Sequence, residues 1–189
     1  MEKQRAGFDY QKNVIEKYKL TPDSNYTGHW DAYFNGIPVS IKLEKYKSDI
    51  ELADIFRQMD VKEDFFMLVG FWKDEKDNII EEHLLYIPAN LYNNYFNHGM
   101  KKEFYNLLNS ITNFVEDDEK WRREISNLRK AWAKTTNNYI RPRFKRDHKK
   151  QKRVQCEINN KIFYSHFIPN YEVKGFERNN EIFGEKGFA

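Results

Sequence analysis

The dipeptide Asn35-Gly36 stands between two runs of strand-forming residues, HWDAYF at 29–34 and IPVSIKLEK at 37–45. Both residues tolerate positive φ, which a two-residue type I′ turn demands, so the pair predicts a tight β-hairpin. Such a loop sets the register: Phe34 faces Ile37, Asp31 faces Ser40, and His29 faces Lys42. Side chains alternate along a strand, so Asp31, Ser40, Lys42 and Glu44 share one face while Val39, Ile41 and Leu43 take the other. Directly opposed Cβ atoms lie about 5 Å apart. The sequence thus places a carboxylate near an ammonium on the polar face of a half-apolar sheet.

The remaining pattern surrounds this hairpin with helices and further strands. Residues 7–19 carry Phe8, Val14, Ile15 and Tyr18 at helical spacing, and Pro22 with Asp23-Ser24-Asn25 ends that helix. Ser48 followed by Glu51 reads as a capping box opening a second helix through Met59, with Leu52, Ile55, Phe56 and Met59 as its apolar stripe. FFMLVGFW at 65–72 is a continuous apolar run, expected as a buried central strand. His83–Ile87 reads as another strand, stopped by Pro88, and 89–134 as mostly helical, with an acidic hinge at Glu116–Glu119. Val154–Ile158 and Lys161–Phe167 flank Asn159-Asn160 and suggest a second hairpin. The order predicts an α/β or α+β domain: a mixed four-stranded central sheet flanked by helices, then a helical and basic β-hairpin extension. Residues 1–90 are read as the core, and 91–189 as an extension of the same compact domain.

Composition narrows the classes. With 189 residues, 40% hydrophobic and 16% aromatic, the chain can bury a core and is not expected to be disordered throughout. No run approaches the length of a membrane span. MEKQRAGFDY lacks a signal-like apolar stretch, and a cytoplasmic location is expected. The sole cysteine, Cys156, excludes an intramolecular disulfide and reads as a core thiol. His83 and His166 read as half-buried strand residues, and no Walker A, GxGxxG or G-x-S-x-G pattern occurs. The net charge of +3 hides a partition: Lys120–Arg153 holds fourteen Lys and Arg against two acids, +12, which leaves −9 for the rest. Interleaved with Trp121, Trp132, Tyr139 and Phe144, this run fits a nucleic acid better than a membrane surface, because it lacks an opposing apolar face.

Asp31 on a rigid strand could ligate Mg²⁺, with the backbone carbonyl of Ile41 as a second oxygen donor. Lys42 beside the metal-bound water could orient it and offset charge on a phosphate. The bland alternative is a cross-strand Asp–Lys pair on an ordinary sheet, worth little. GHWDAYFNGIPVSIK resembles the catalytic core of the PD-(D/E)xK, or restriction-endonuclease-like, nucleases. Asp31 matches the family's first acid and Lys42 its lysine, while Ser40 stands at the second acidic position. The preceding GFDYQKNV is similar to the family's opening helix, with Gly7 in place and Gln11 where an acid is usual. The resemblance covers about residues 7–87. It implies a Mg²⁺ cofactor, replaceable by Mn²⁺, and hydrolysis of phosphodiester bonds in duplex DNA. It further implies Asp31 as metal ligand, Lys42 as partner of the attacking water and Ser40 as a contact to metal-bound water. A carboxylate from outside the motif would replace the acid missing at Ser40; Glu51, Asp54 and Glu44 are the candidates, and Glu51 is preferred as both ligand and catalytic residue.

A site-specific endonuclease of restriction type is expected, acting as a homodimer because two strands need two active sites. The alternatives are a Holliday-junction resolvase and an inactive nuclease fold that binds DNA or RNA. The DNA-binding residues are expected in 137–155. There Lys149, Lys150 and Lys152 suit phosphates, while Arg141, Arg143, Asn138, Gln151 and Gln155 suit base edges. Asn137, Lys145, Arg146 and Arg153 complete this basic surface. Pro142 argues against a continuous recognition helix, so a loop leading into a β-hairpin is the expected reader.

Overall fold

The apolar run at 65–72 forms β5 (Phe65–Trp72), the strand on which both layers of the computed structural model close. Residues 2–24, 29–76, 78–110, 118–146 and 152–176 are described. Phe66 and Leu68 of β5 point into one apolar cluster, and Phe65, Met67, Val69 and Phe71 into another on the opposite face. Burial on both faces explains why the run is continuous rather than alternating.

β5 pairs in parallel with β3 (Ile37–Lys45), Lys42 beside Val69, and antiparallel with β6 (Ile79–Ile87). β3 also pairs antiparallel with β2 (Ala32–Phe34), and β2 with the two-residue edge strand β1 (Thr21–Pro22). The result is a mixed five-stranded sheet, β1-β2-β3-β5-β6, one strand more than expected. Asn35 and Gly36 adopt φ of 49° and 82°, and Phe34 faces Ile37, so the hairpin forms in the expected register. Helix α1 (Glu2–Tyr18) covers the Val39–Ile41 side of the sheet, its Tyr10 and Val14 packed with Leu20, Ala32, Phe66 and Leu68.

The second layer departs from the sequence reading. The helix expected over 49–59 is instead β4 (Ile50–Asp54) running into the single-turn helix α2 (Ile55–Gln58). Ile50 and Leu52 are both buried two residues apart, a strand's period, and β8 (Lys152–Ile158) supplies the hydrogen-bonding partner. The Ser48 hydroxyl donates to the Lys45 carbonyl at 2.7 Å instead of capping a helix. The cap of α2 is Asp54, which accepts from the Phe56 and Arg57 amides. The expected hairpin across Asn159-Asn160 is also overturned. β8 turns back on β7 (Ile140–Arg146), which gives a second sheet of order β4-β8-β7. Asn159 caps a helical run: α6 (Asn160–Ile162), a π turn at Phe163–Phe167 and α7 (Ile168–Tyr171). Asp49 holds this junction, its Oδ1 accepting from the Asn160 amide at 2.8 Å and the Asn159 side chain at 3.2 Å.

Residues 89–134 are helical as expected, in α3 (Ala89–Asn93), a 3₁₀ turn at His98–Met100, α4 (Lys101–Ser110) and α5 (Asp118–Thr135). The expected hinge at Glu116–Glu119 falls partly outside the described residues and partly on the first turn of α5. α5 is pinned by Trp132, which is fully buried and donates its Nε1–H to the Ile140 carbonyl at 2.7 Å. Residues from 50–71 share one apolar cluster with Trp132, Ile140, Val154 and Phe163, so the C-terminal half closes over the same core. No helix among the described residues is long and apolar enough to cross a membrane.

Candidate functional site

Asp31 sits one residue before β2, where the hairpin opens. Its amide donates to the Val39 carbonyl at 3.0 Å, one residue out of step with the Ala32–Val39 pairing that ends the regular ladder. Its Oδ2 accepts the Ile41 amide at 2.7 Å and lies 3.5 Å from Lys42 Nζ. Both side chains are about a quarter exposed or less, 26% for Asp31 and 19% for Lys42, so the pair is partly desolvated yet open to solvent. Ser40, expected to face Asp31, is buried, and the regular pairing ends one residue short of that pair. Gln11 of α1 reaches the Asp31 carbonyl at 3.5 Å, so the helix residue at the position where an acid is usual does abut the hairpin.

His29 lies within electrostatic reach of Asp31 and Lys42. Burial lowers its pKa, with Arg57 and Lys42 adding positive potential. Its Nε2 is buried with no hydrogen-bond partner among the described residues, and its ring packs on Trp30 with centroids 4.4 Å apart.

The structure takes Glu51 elsewhere. It lies on β4, not on a helix, and its carboxylate is ion-paired to Arg143 of β7. Its amide donates to Glu44 Oε1 at 2.8 Å. Glu44 is four residues along β3 from Ser40, about 13 Å at strand rise. Glu51 therefore joins Glu44 rather than Asp31. Asp54, the other candidate, is engaged as the cap of α2. The Glu44 carboxyl is pushed up to about 7, mainly by burial and by the nearby Glu51, despite the Glu51 amide, Lys42 and Arg143 favouring its ionised form. The polar face thus runs from Asp31 through Lys42 to Glu44 and then crosses to the second sheet at Glu51 and Arg143.

Magnesium needs one or two carboxylates and fills its shell with water and substrate phosphate oxygens. Asp31 with the Ile41 carbonyl fits that minimal donor set. Among the described residues no three His, Cys, Asp or Glu side chains gather into a group that could cage a metal.

Of the expected DNA-binding residues, Asn137 and Asn138 are exposed between α5 and β7, and Asn138 takes a left-handed φ of 54°. Arg141 pairs with Asp49 and, at 2.8 Å, with Glu157; Arg143 pairs with Glu51 and lies 3.4 Å from Glu157. These two arginines are therefore committed to acids of their own chain. Lys145, Arg146 and Lys152 lie on the ends of β7 and β8, and Arg153 is exposed on β8. Gln155 is half-buried, with an Oε1 that has no partner among the described residues. Lys149, Lys150 and Gln151 lie outside the described residues. The segment forms a hairpin in its own right, with Pro142 buried within β7.

The remaining titratable candidates are structural. Cys156 is buried and its thiol pushed up by burial, as a core residue. His83 is held between Glu172 at 2.7 Å and Glu81 at 3.4 Å. His166 lies on the π turn rather than on a strand, and its Nε2 is 2.7 Å from the Tyr95 hydroxyl. No protein-family model matches the chain, and no curated protein matches it.

Proposed function

We propose that this chain is a metal-dependent endonuclease that hydrolyses phosphodiester bonds in duplex DNA at specific sites, built on a restriction-endonuclease-like core. One observation carries the reading: Asp31 and Lys42 meet at 3.5 Å across a rigid hairpin, about three-quarters shielded from water, with the Ile41 backbone between them. Asp31 and the Ile41 carbonyl would hold Mg²⁺, which when bound supplies polarisation of a phosphoryl oxygen and a more acidic water. Lys42 orients the attacking water and offsets the charge that builds on the phosphate. Asp31 keeps the Lys42 ammonium in place, and the Ile41 amide keeps the Asp31 carboxylate in place.

A second reading is favoured by the absence, among the described residues, of a three-ligand acidic cage. On that reading the chain binds nucleic acid without cutting it. Plasmid DNA and a four-way junction, each incubated with Mg²⁺ and with EDTA, separate the readings. Metal-dependent linear plasmid is the expected result. Junction-only cleavage would mean a resolvase, and intact DNA with a mobility shift would mean a binder.

A further inference from the structure

The arginines that suit base reading by sequence are paired with acids of their own chain, whereas among the described residues a line of cations on α5 is not. Arg122, Ser126, Arg129, Lys130 and Ala133 are all exposed. At 100° per residue they share one side of the helix, next to the side that buries Trp132. Among the described residues, no carboxylate is within ion-pairing distance of Arg122, Arg129 or Lys130. They line one wall of an open groove of about 790 Å³ whose other side is Asn138, Arg141 and Pro142 at β7 together with Glu157 of β8, which is paired with Arg141. Arg129 is further steadied by the Phe144 ring, 5.7 Å from its guanidinium.

From these features we infer that the α5–β7 groove is a binding site for the phosphate backbone of duplex DNA, with Arg122, Arg129 and Lys130 as its contacts. The inference rests on the nucleic-acid reading above and extends it to residues outside the 137–155 segment. Arg122 to Lys130 spans about 12 Å along the helix. One DNA strand carries a charge every ~3.4 Å of axis, so that length matches about three successive phosphates. Ser126 and Ala133 are small enough to let a backbone approach, and the Ser126 hydroxyl and Asn138 amide add neutral donors of the kind that position a duplex. Single-strand grooves instead stack bases on aromatic rings, and among the described residues no aromatic side chain lines this groove.

The test measures anisotropy of a labelled duplex, and of its separated strand, with the full chain in EDTA across a salt series. The variant Arg122→Glu/Arg129→Glu/Lys130→Glu should bind duplex at least ~10-fold more weakly near 0.1 M salt, its log–log salt slope shallower by about three. A charge-matched variant at exposed sites elsewhere, Lys12→Glu/Lys62→Glu/Lys73→Glu, should lose much less. The glutamine version of the α5 triple serves if the glutamate version melts early. Equal loss in both charge-reversal variants, no loss on α5, or single strand bound as tightly as duplex would each overturn the groove. Plasmid cleavage reports separately on the nuclease reading. Duplex binding through α5 without cleavage keeps the groove and ends that reading, while cleavage indifferent to the α5 charges ends the groove alone.

Discussion

Lys42 and Lys45 are three residues apart on one strand, yet they meet different surroundings. Lys42 is drawn in beside Asp31, whereas Lys45 is exposed and leans over the Trp72 ring at 5.7 Å. A proton-handling group typically contributes about 10²–10⁴ in rate. Lys42→Ala should therefore cut single-turnover cleavage by that order while Lys45→Ala leaves it within about twofold; equal rates in both variants would remove Lys42 from the mechanism. Glu44 gives a second outcome, in stability. Its native pKa of about 7 lies above the ordinary 4.5, so between those values the native state holds a proton that the unfolded chain has released. Stability then falls as pH rises through that window, by at most about 1.4 kcal/mol per pH unit, and the loss levels off above it. The groups around the carboxyl are Glu51, Lys42 and Arg143, and Gln at this position can still accept the Glu51 amide. Glu44→Gln should melt higher than the parent at about pH 8 and nearly with it at about pH 4. The opposite ordering would mean that the fold favours the ionised Glu44 carboxylate rather than its protonated form.

At the scale of elements, β5 and α1 meet with no room to spare. A Cβ on Gly70 would lie 2.3 Å from the Tyr10 hydroxyl, which is itself buried and bonded to Glu82 at 3.0 Å. Gly70 is thus required by close approach rather than by backbone conformation. Gly70→Ala should destabilise by about 1–3 kcal/mol in urea unfolding through overpacking, with an unchanged m-value. β4 and α2 show how an element can change type on contact. Ser48 and Glu51 satisfy the capping-box spacing, but Ile50 and Leu52 bury as a strand once β8 is alongside. The pairing carries an irregularity between Glu51 and Ala53, and Ala53 takes a φ of 74°. Such local conformations are unfavourable for an alanine; here they let the chain leave the strand and enter α2 at Asp54.

For the molecule as a whole, the partition of +12 against −9 is only partly a surface property. Asp49, Glu51 and Glu157 draw Arg141 and Arg143 into pairs along the second sheet, which among the described residues leaves α5 as an open cationic wall. One chain carries one Asp31–Lys42 pair, so cutting both strands calls for two chains. Sedimentation in the presence of duplex should therefore show two copies of the 23.0 kDa chain per site. Linear plasmid should appear without an accumulating nicked form; a monomer on DNA that only nicks would contradict the dimer.

Local chemistry determined the hairpin by itself. Asn35-Gly36 between two alternating runs fixes the pairing of Ala32–Phe34 with Ile37–Val39, and Asp31 reaches Lys42 from just beyond that ladder. The apolar run at 65–72 likewise had one stable destination, buried on both faces. What local pattern could not decide was partner choice. Residues 50–54 suit a helix or a strand until β8 arrives, and Asn159-Asn160 suits a turn or a helix cap until Asp49 accepts its amides. The destinations of Glu51, Arg141 and Arg143 are decided the same way. Each charge settles on whichever opposite charge folding brings near, and segments about ninety residues apart meet only in the tertiary structure.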